Sequence, residues 1–165
     1  MKNENSLRML FIAQSTFTLS VADSLAQNPK TIVSGVITDR ISALNYISSG
    51  AIGVLDAIVI ELSDFSGSNQ SLSTTTFDEL ILNIRRQKTF TGKTIALLAS
   101  SNSNLAAKAF SMGCDSYFCF DVNETRVDVM AKEMITSIET GALMISPQLK
   151  SAFYAYCNGA IQVAS

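Results

Sequence analysis

The chain has 165 residues, 47% of them hydrophobic and 16% charged, with a formal net charge of −2 and no histidine. That length supports one domain with a real core, and the apolar content excludes intrinsic disorder. The weak negative charge argues against direct nucleic-acid binding by this chain, and the missing histidine excludes His-based triads, His acid–base pairs and His-ligated metals.

The N-terminal stretch Met1 to Arg8 is polar, and the apolar run Met9 to Ala13 is too short for a signal sequence. No window approaches the roughly 18 apolar residues needed to cross a bilayer. Cys114, Cys119 and Cys157 lack CxxC spacing and read as reduced thiols, the first two as small buried hydrophobes. The expectation is a soluble, cytoplasmic protein without a membrane partner.

Apolar runs rich in strand formers alternate five times with helical patterns, the signature of βαβ units and a parallel sheet. The strands are expected at Leu7–Ala13, Thr31–Thr38, Asp56–Leu62, Thr94–Ala99 and Ser116–Phe120. Their near-continuous apolar character suits strands covered on both faces. The first helix is expected from about Thr16 to Gln27, ending before Pro29. Asp39 is placed to cap the second, with Ile41, Leu44 and Ile47 or Ser48 inward and Gly50 after its end. Thr76 with Glu79 fits a capping box for a third helix reaching about Gln87.

The fourth helix starts at Asn102 or Ser103 and stops at Gly113. In the fifth, Val127, Met130, Ala131, Met134, Ile135 and Ile138 repeat at helical spacing, and Gly141 closes it. Between the third strand and third helix, Ser63 to Thr75 is rich in Ser, Thr, Gly and Asn and reads as a mobile loop without chemistry. A further helical turn or two is expected within Ser151 to Ser165, with Phe153, Tyr154 and Tyr156 packing back or on a partner.

The third strand run, Asp56-Ala57-Ile58-Val59-Ile60-Glu61-Leu62, delivers one carboxylate to the edge where parallel sheets collect ligands. Around it, Leu7-Arg8-Met9-Leu10-Phe11-Ile12, Ala109-Phe110-Ser111-Met112-Gly113-Cys114-Asp115-Ser116-Tyr117 and Gly141-Ala142-Leu143-Met144-Ile145-Ser146-Pro147-Gln148-Leu149 occur in order. With these strings, residues 7–149 resemble the receiver domain of bacterial two-component response regulators, of the type that precedes a helix-turn-helix output domain. The resemblance implies a three-layer, doubly wound (βα)5 fold with strand order 2-1-3-4-5, the flavodoxin-like topology. It also implies a receiver-like domain over 1–146 and a tail or truncated linker over 147–165.

Mapped by position, the family's Mg²⁺-binding acidic pair falls on Ala13 and Gln14, and its phospho-accepting Asp on Glu61. The Thr or Ser ending the fourth strand falls on Ala99, with Ser100 next to it should the register move by one. The Lys ending the fifth strand falls on Phe120, and the aromatic switch position is kept as Tyr117. Mg²⁺ needs oxygen ligands that Ala13 and Gln14 do not supply, and phosphoryl transfer rests on neutralising charge that no lysine here balances. The resemblance therefore points to a pseudo-receiver with a degenerate site. Glu61 is read as a tolerated surface acid in preference to a built-in mimic of the phosphorylated residue.

The leading functional expectation is a phosphorylation-independent regulatory module, not an enzyme, with no cofactor or metal. Its contacts would be with a protein partner or a second copy, through helices one and five or through helix four, strand five and helix five. The alternative is a flavodoxin-like small-molecule binder for phosphate, a nucleotide or FMN. It rests on the hydroxyl-rich loop Gln14-Ser15-Thr16-Phe17-Thr18 ahead of a helix N-terminus, although that loop lacks the glycine of a flavodoxin phosphate loop.

Overall fold

In the computed structural model, residues 6–63 and 74–159 are described. Strands β1 (Leu7–Ile12), β2 (Thr31–Ile37), β3 (Ala57–Leu62), β4 (Lys93–Leu98) and β5 (Ser116–Cys119) form one sheet in the order β2-β1-β3-β4-β5. Every pairing is parallel, and the strands alternate along the chain with helices, as the sequence pattern requires. The helices are α1 (Thr16–Gln27), α2 (Arg40–Ser48), α3 (Thr74–Arg86), α4 (Ser103–Met112), α5 (Val127–Thr140) and α6 (Lys150–Cys157).

The two-residue period of each strand sorts its side chains between two cores. Met9, Phe11, Ala57, Val59, Ile95, Leu97 and Phe118 face α1 and α5, where Val21, Leu25, Met130 and Met134 complete the packing. Leu10, Ile12, Ile58, Ile60, Leu62, Ala96 and Leu98 face the opposite way, against Ala43, Ile47, Phe77, Leu80, Ile84 and Phe110. With both faces covered, β3 is buried along its whole length.

The caps at Asp39, Asn102, Gly113 and Gly141 form as expected. Asp39 accepts from Ser42 N, Asn102 accepts from Asn104 N and Leu105 N, and the two glycines end their helices at φ 69° and 67°. The helix-three capping box does not form. α3 begins at Thr74, so Thr76 lies inside the helix. Glu79 turns sideways to meet Arg40 in a bidentate pair with two bonds of 2.7 Å. In α2, Ile47 is buried and Leu44 packs partly buried against the same core, as expected, with Ala43 beside them, while Ile41 is 60% exposed. Of the Ser63–Thr75 stretch, residues 64–73 lie outside the described residues.

The segment leaving α5 lines the open edge of β5. Tyr117 N donates to Met144 O, Ser146 N donates to Tyr117 O, and Cys119 N donates to Ser146 Oγ, each at 2.9 Å. Beyond it, a 3-10 turn at Pro147–Leu149 leads into α6, which lies on α4. Leu149 and Ala152 belong to the same core cluster as β3 and α4, and Phe153 and Tyr156 pack against it, whereas Tyr154 is 65% exposed.

Candidate functional site: a carboxylate closed on a helix N-terminus

Sheet parity decides where the mapped residues go. Ala13 continues the alternation of Met9 and Phe11, Glu61 that of Ala57 and Val59, Ala99 that of Ile95 and Leu97, and Phe120 that of Phe118. All four therefore fall on the α1/α5 side, at the C-terminal ends of four neighbouring strands. Three stand one residue past the regular ladder, although each was expected inside its strand. Ala13 N still reaches Ile37 O, Ala99 N reaches Leu62 O and Phe120 N reaches Leu98 O, at 3.0, 3.0 and 3.1 Å.

Glu61 is 3% exposed, which corrects its reading as a surface acid. A buried carboxylate is costly unless its oxygens are hydrogen-bonded. Here they are. Oε1 accepts from Gln14 N at 3.3 Å and Ser15 N at 3.1 Å, and Oε2 accepts from Ser15 Oγ at 2.5 Å and from Thr18 Oγ1. Ser15 is the N-cap of α1, and Thr18 N donates to its Oγ at 3.2 Å.

The carboxylate thus sits where unpaired N–H groups and the helix dipole favour an anion. α1 has no acidic residue in its own first turn. The charge comes from a strand 46 residues away from Ser15 in sequence. All four donors belong to residues 14–18, and among the described residues none belongs to the β4–α4 connection.

The other mapped positions are engaged as well. The Gln14 side chain donates through Nε2 to Thr38 O at 2.8 Å, tying the end of β1 to the end of β2. Ala13 is fully buried. Ser100 Oγ accepts from Asn102 N at 3.1 Å and shapes the turn into α4. Phe120 is 4% exposed and stacks on Phe17 of α1, ring centroids 4.3 Å apart and planes within 12°. An aromatic pair therefore fills the space between β5 and the first turn of α1. Among the described residues no group of three or more His, Cys, Asp or Glu is placed to hold a metal ion.

Tyr117 is 4% exposed and lies edge-on to Phe110, ring centroids 5.0 Å apart. Burial, with Cys114 beside it, raises its phenol above the ordinary tyrosine range. Cys114 and Cys119 are buried as expected, and Cys157 is exposed. Burial pushes the Cys114 thiol up to about 12 and the Cys119 thiol up to about 11, so both stay protonated at neutral pH.

No family model and no curated protein matches the sequence. Solved structures do. The isolated receiver domain of RcsB from Salmonella enterica serovar Typhimurium, with phosphomimetic BeF3−, is 11% identical with a TM-score of 0.66. The match covers 90% of this chain and 99% of that one. RcsB from the same organism bound to the promoter P1flhDC is 11% identical with a TM-score of 0.68, covering 98% of this chain and 73% of that one. A LuxR-family two-component response regulator from Aurantimonas sp. SI85-9A1 is 13% identical with a TM-score of 0.65, covering 95% and 99%. At these identities the likeness is one of fold: the chain has the architecture of response-regulator receiver domains.

Proposed function

We propose that the chain is a receiver-like signalling module that works without phosphorylation, through contacts with other proteins. The observation that carries this reading is the Glu61 carboxylate. It stands on the strand end where a receiver's phospho-acceptor is expected, and its oxygens are taken up by Gln14, Ser15 and Thr18. Ala13 and Gln14 supply no acidic metal ligand, and the Phe17–Phe120 stack occupies ground a lysine would need. Catalysis of phosphoryl transfer depends on charge placed around the reacting group, and this set supplies none of it.

The same bonds count against phosphate or FMN at this helix. The Gln14 and Ser15 N–H groups and the Ser15 and Thr18 hydroxyls already hold an internal carboxylate, which sets a like charge where an anionic ligand would sit. A fixed carboxylate also gives no second state for the usual switch, because its partners are Gln14, Ser15 and Thr18 and not Ala99 or Ser100. Signalling then rests on surfaces, the α1/α5 face or the α4–β5–α5 face, toward a partner or a second copy. The three free thiols fit a reducing, cytoplasmic setting.

An amide NMR titration with Mg²⁺ and beryllofluoride tests the proposal. The Gln14, Ser15, Glu61 and Ala99 amides should keep their positions throughout. Saturable shifts at these residues would show a working acceptor site and end this reading.

A further inference from the structure

The C-terminal helix is held unlike anything else in the domain. Up to Ser146 the chain is fastened to β5 by backbone and hydroxyl bonds. Past that point the attachment is apolar. Among the described residues, no hydrogen bond or ion pair joins residues 150–157 to the sheet or to helices α1–α5. α6 has eight residues and no side-chain cap at its N-terminus. A helix that short does not hold in water by itself, so its order depends on what it touches.

What it touches is specific. Leu149, Ala152, Phe153 and Tyr156 fall at i, i+3, i+4 and i+7, the spacing by which an amphipathic helix lies in an apolar groove. The receiving surface centres on Phe110 of α4, whose ring meets Phe153 at 5.2 Å and Tyr156 at 5.7 Å while also meeting Tyr117 of β5. Ala106 and Ala109, fully buried, belong to the same cluster.

We infer that the α4 face is a helix-binding groove occupied by α6, and that a partner protein binds by substituting an amphipathic helix with apolar side chains at i, i+3, i+4 and i+7. The occupant's chemistry is read from α6 itself. This names the partner class for the protein-contact role proposed above and rests on that role, yet it uses no part of the Glu61 site. Because α6 must leave first, the apparent affinity of the intact chain is reduced by the fraction of molecules whose groove is open.

The test uses the full chain and a labelled peptide of residues 145–159, followed by fluorescence anisotropy. The double variant Phe153→Ala/Tyr156→Ala frees the groove, so it should bind the peptide saturably and at least about tenfold more tightly than the wild type. A peptide with the same two alanines should bind neither. Hydrogen exchange on the wild type supplies a second readout: amides of 150–157 should exchange at least about tenfold faster than those of α4. No peptide binding to the variant, equal binding to both proteins, or equal protection of α6 and α4 would overturn the inference. So would a wild-type dimer built by exchanging α6, since the occupant would then be a second copy. None of these outcomes alters the beryllofluoride titration, so the two proposals fail separately.

Discussion

The Glu61 carboxylate and the Ser15 hydroxyl meet at 2.5 Å, so the end of β3 is bonded to the cap of α1 from inside the domain. Replacing Glu61 by Gln keeps the shape but turns an NH2 group toward two of the donors. Leaving buried groups unsatisfied costs about 1–3 kcal/mol. A surface acid at a strand end would cost within roughly 0.5 kcal/mol. Urea denaturation of Glu61→Gln should therefore show a loss in the larger range, and Glu61→Ala a greater one. The sedimentation coefficient of the folded Gln variant should match the wild type, because the carboxylate is buried and bonded within the domain.

The stack of Phe17 on Phe120 gives a second expectation. Phe120→Lys introduces the residue type that the resemblance to receivers implies at that position, but here the ammonium would displace a ring buried against α1. Removing a buried Phe side chain costs about 3–5 kcal/mol, and an unpaired buried charge adds to it. Thermal unfolding should show the variant strongly destabilised. Mg²⁺ should not raise its melting temperature, since Ala13 and Gln14 still provide no carboxylate.

Thiol chemistry gives a third. The described cysteines are Cys114 and Cys119, buried, and Cys157, exposed. A disulfide reagent at pH 8 should label one thiol quickly in the native protein and all three in denaturant. The raised thiols also set an alkaline limit. An unfolded cysteine loses its proton near pH 9, whereas folded Cys119 and Cys114 hold theirs to about 11 and about 12. Between those values the unfolded state binds fewer protons, so stability falls as pH rises through this window. Below pH 9 the contribution is fully present. Cys114→Ala should flatten the alkaline side of a stability–pH curve.

Much of this was legible in the residues. Alternating strand and helix signals gave the parallel sheet, and Asp39, Asn102, Gly113 and Gly141 marked real helix ends because capping is local chemistry. What stayed hidden was long-range. Glu61 looked like an exposed acid because its four donors lie 43 to 47 residues earlier in the chain. The signal was present in Gln14-Ser15-Thr16-Phe17-Thr18, read as a site for a phosphate. The chemistry of that loop is anion binding, and the anion is the protein's own. Thr76 and Glu79 matched a capping box, but Arg40 competes for Glu79 from another helix. The groove under α6 could not be read from Phe153 and Tyr156 alone, since Phe110 lies 43 residues before the first of them.

Intact-mass spectrometry after incubation with acetyl phosphate and Mg²⁺ tests the central claim most directly. On the proposed reading the mass should not change, because the Glu61 oxygens are held by Gln14, Ser15 and Thr18 and the mapped positions Ala13, Gln14 and Phe120 bring neither carboxylate nor lysine. A stable gain of about 80 Da, the mass of one phosphoryl group, located on Glu61 would contradict the account.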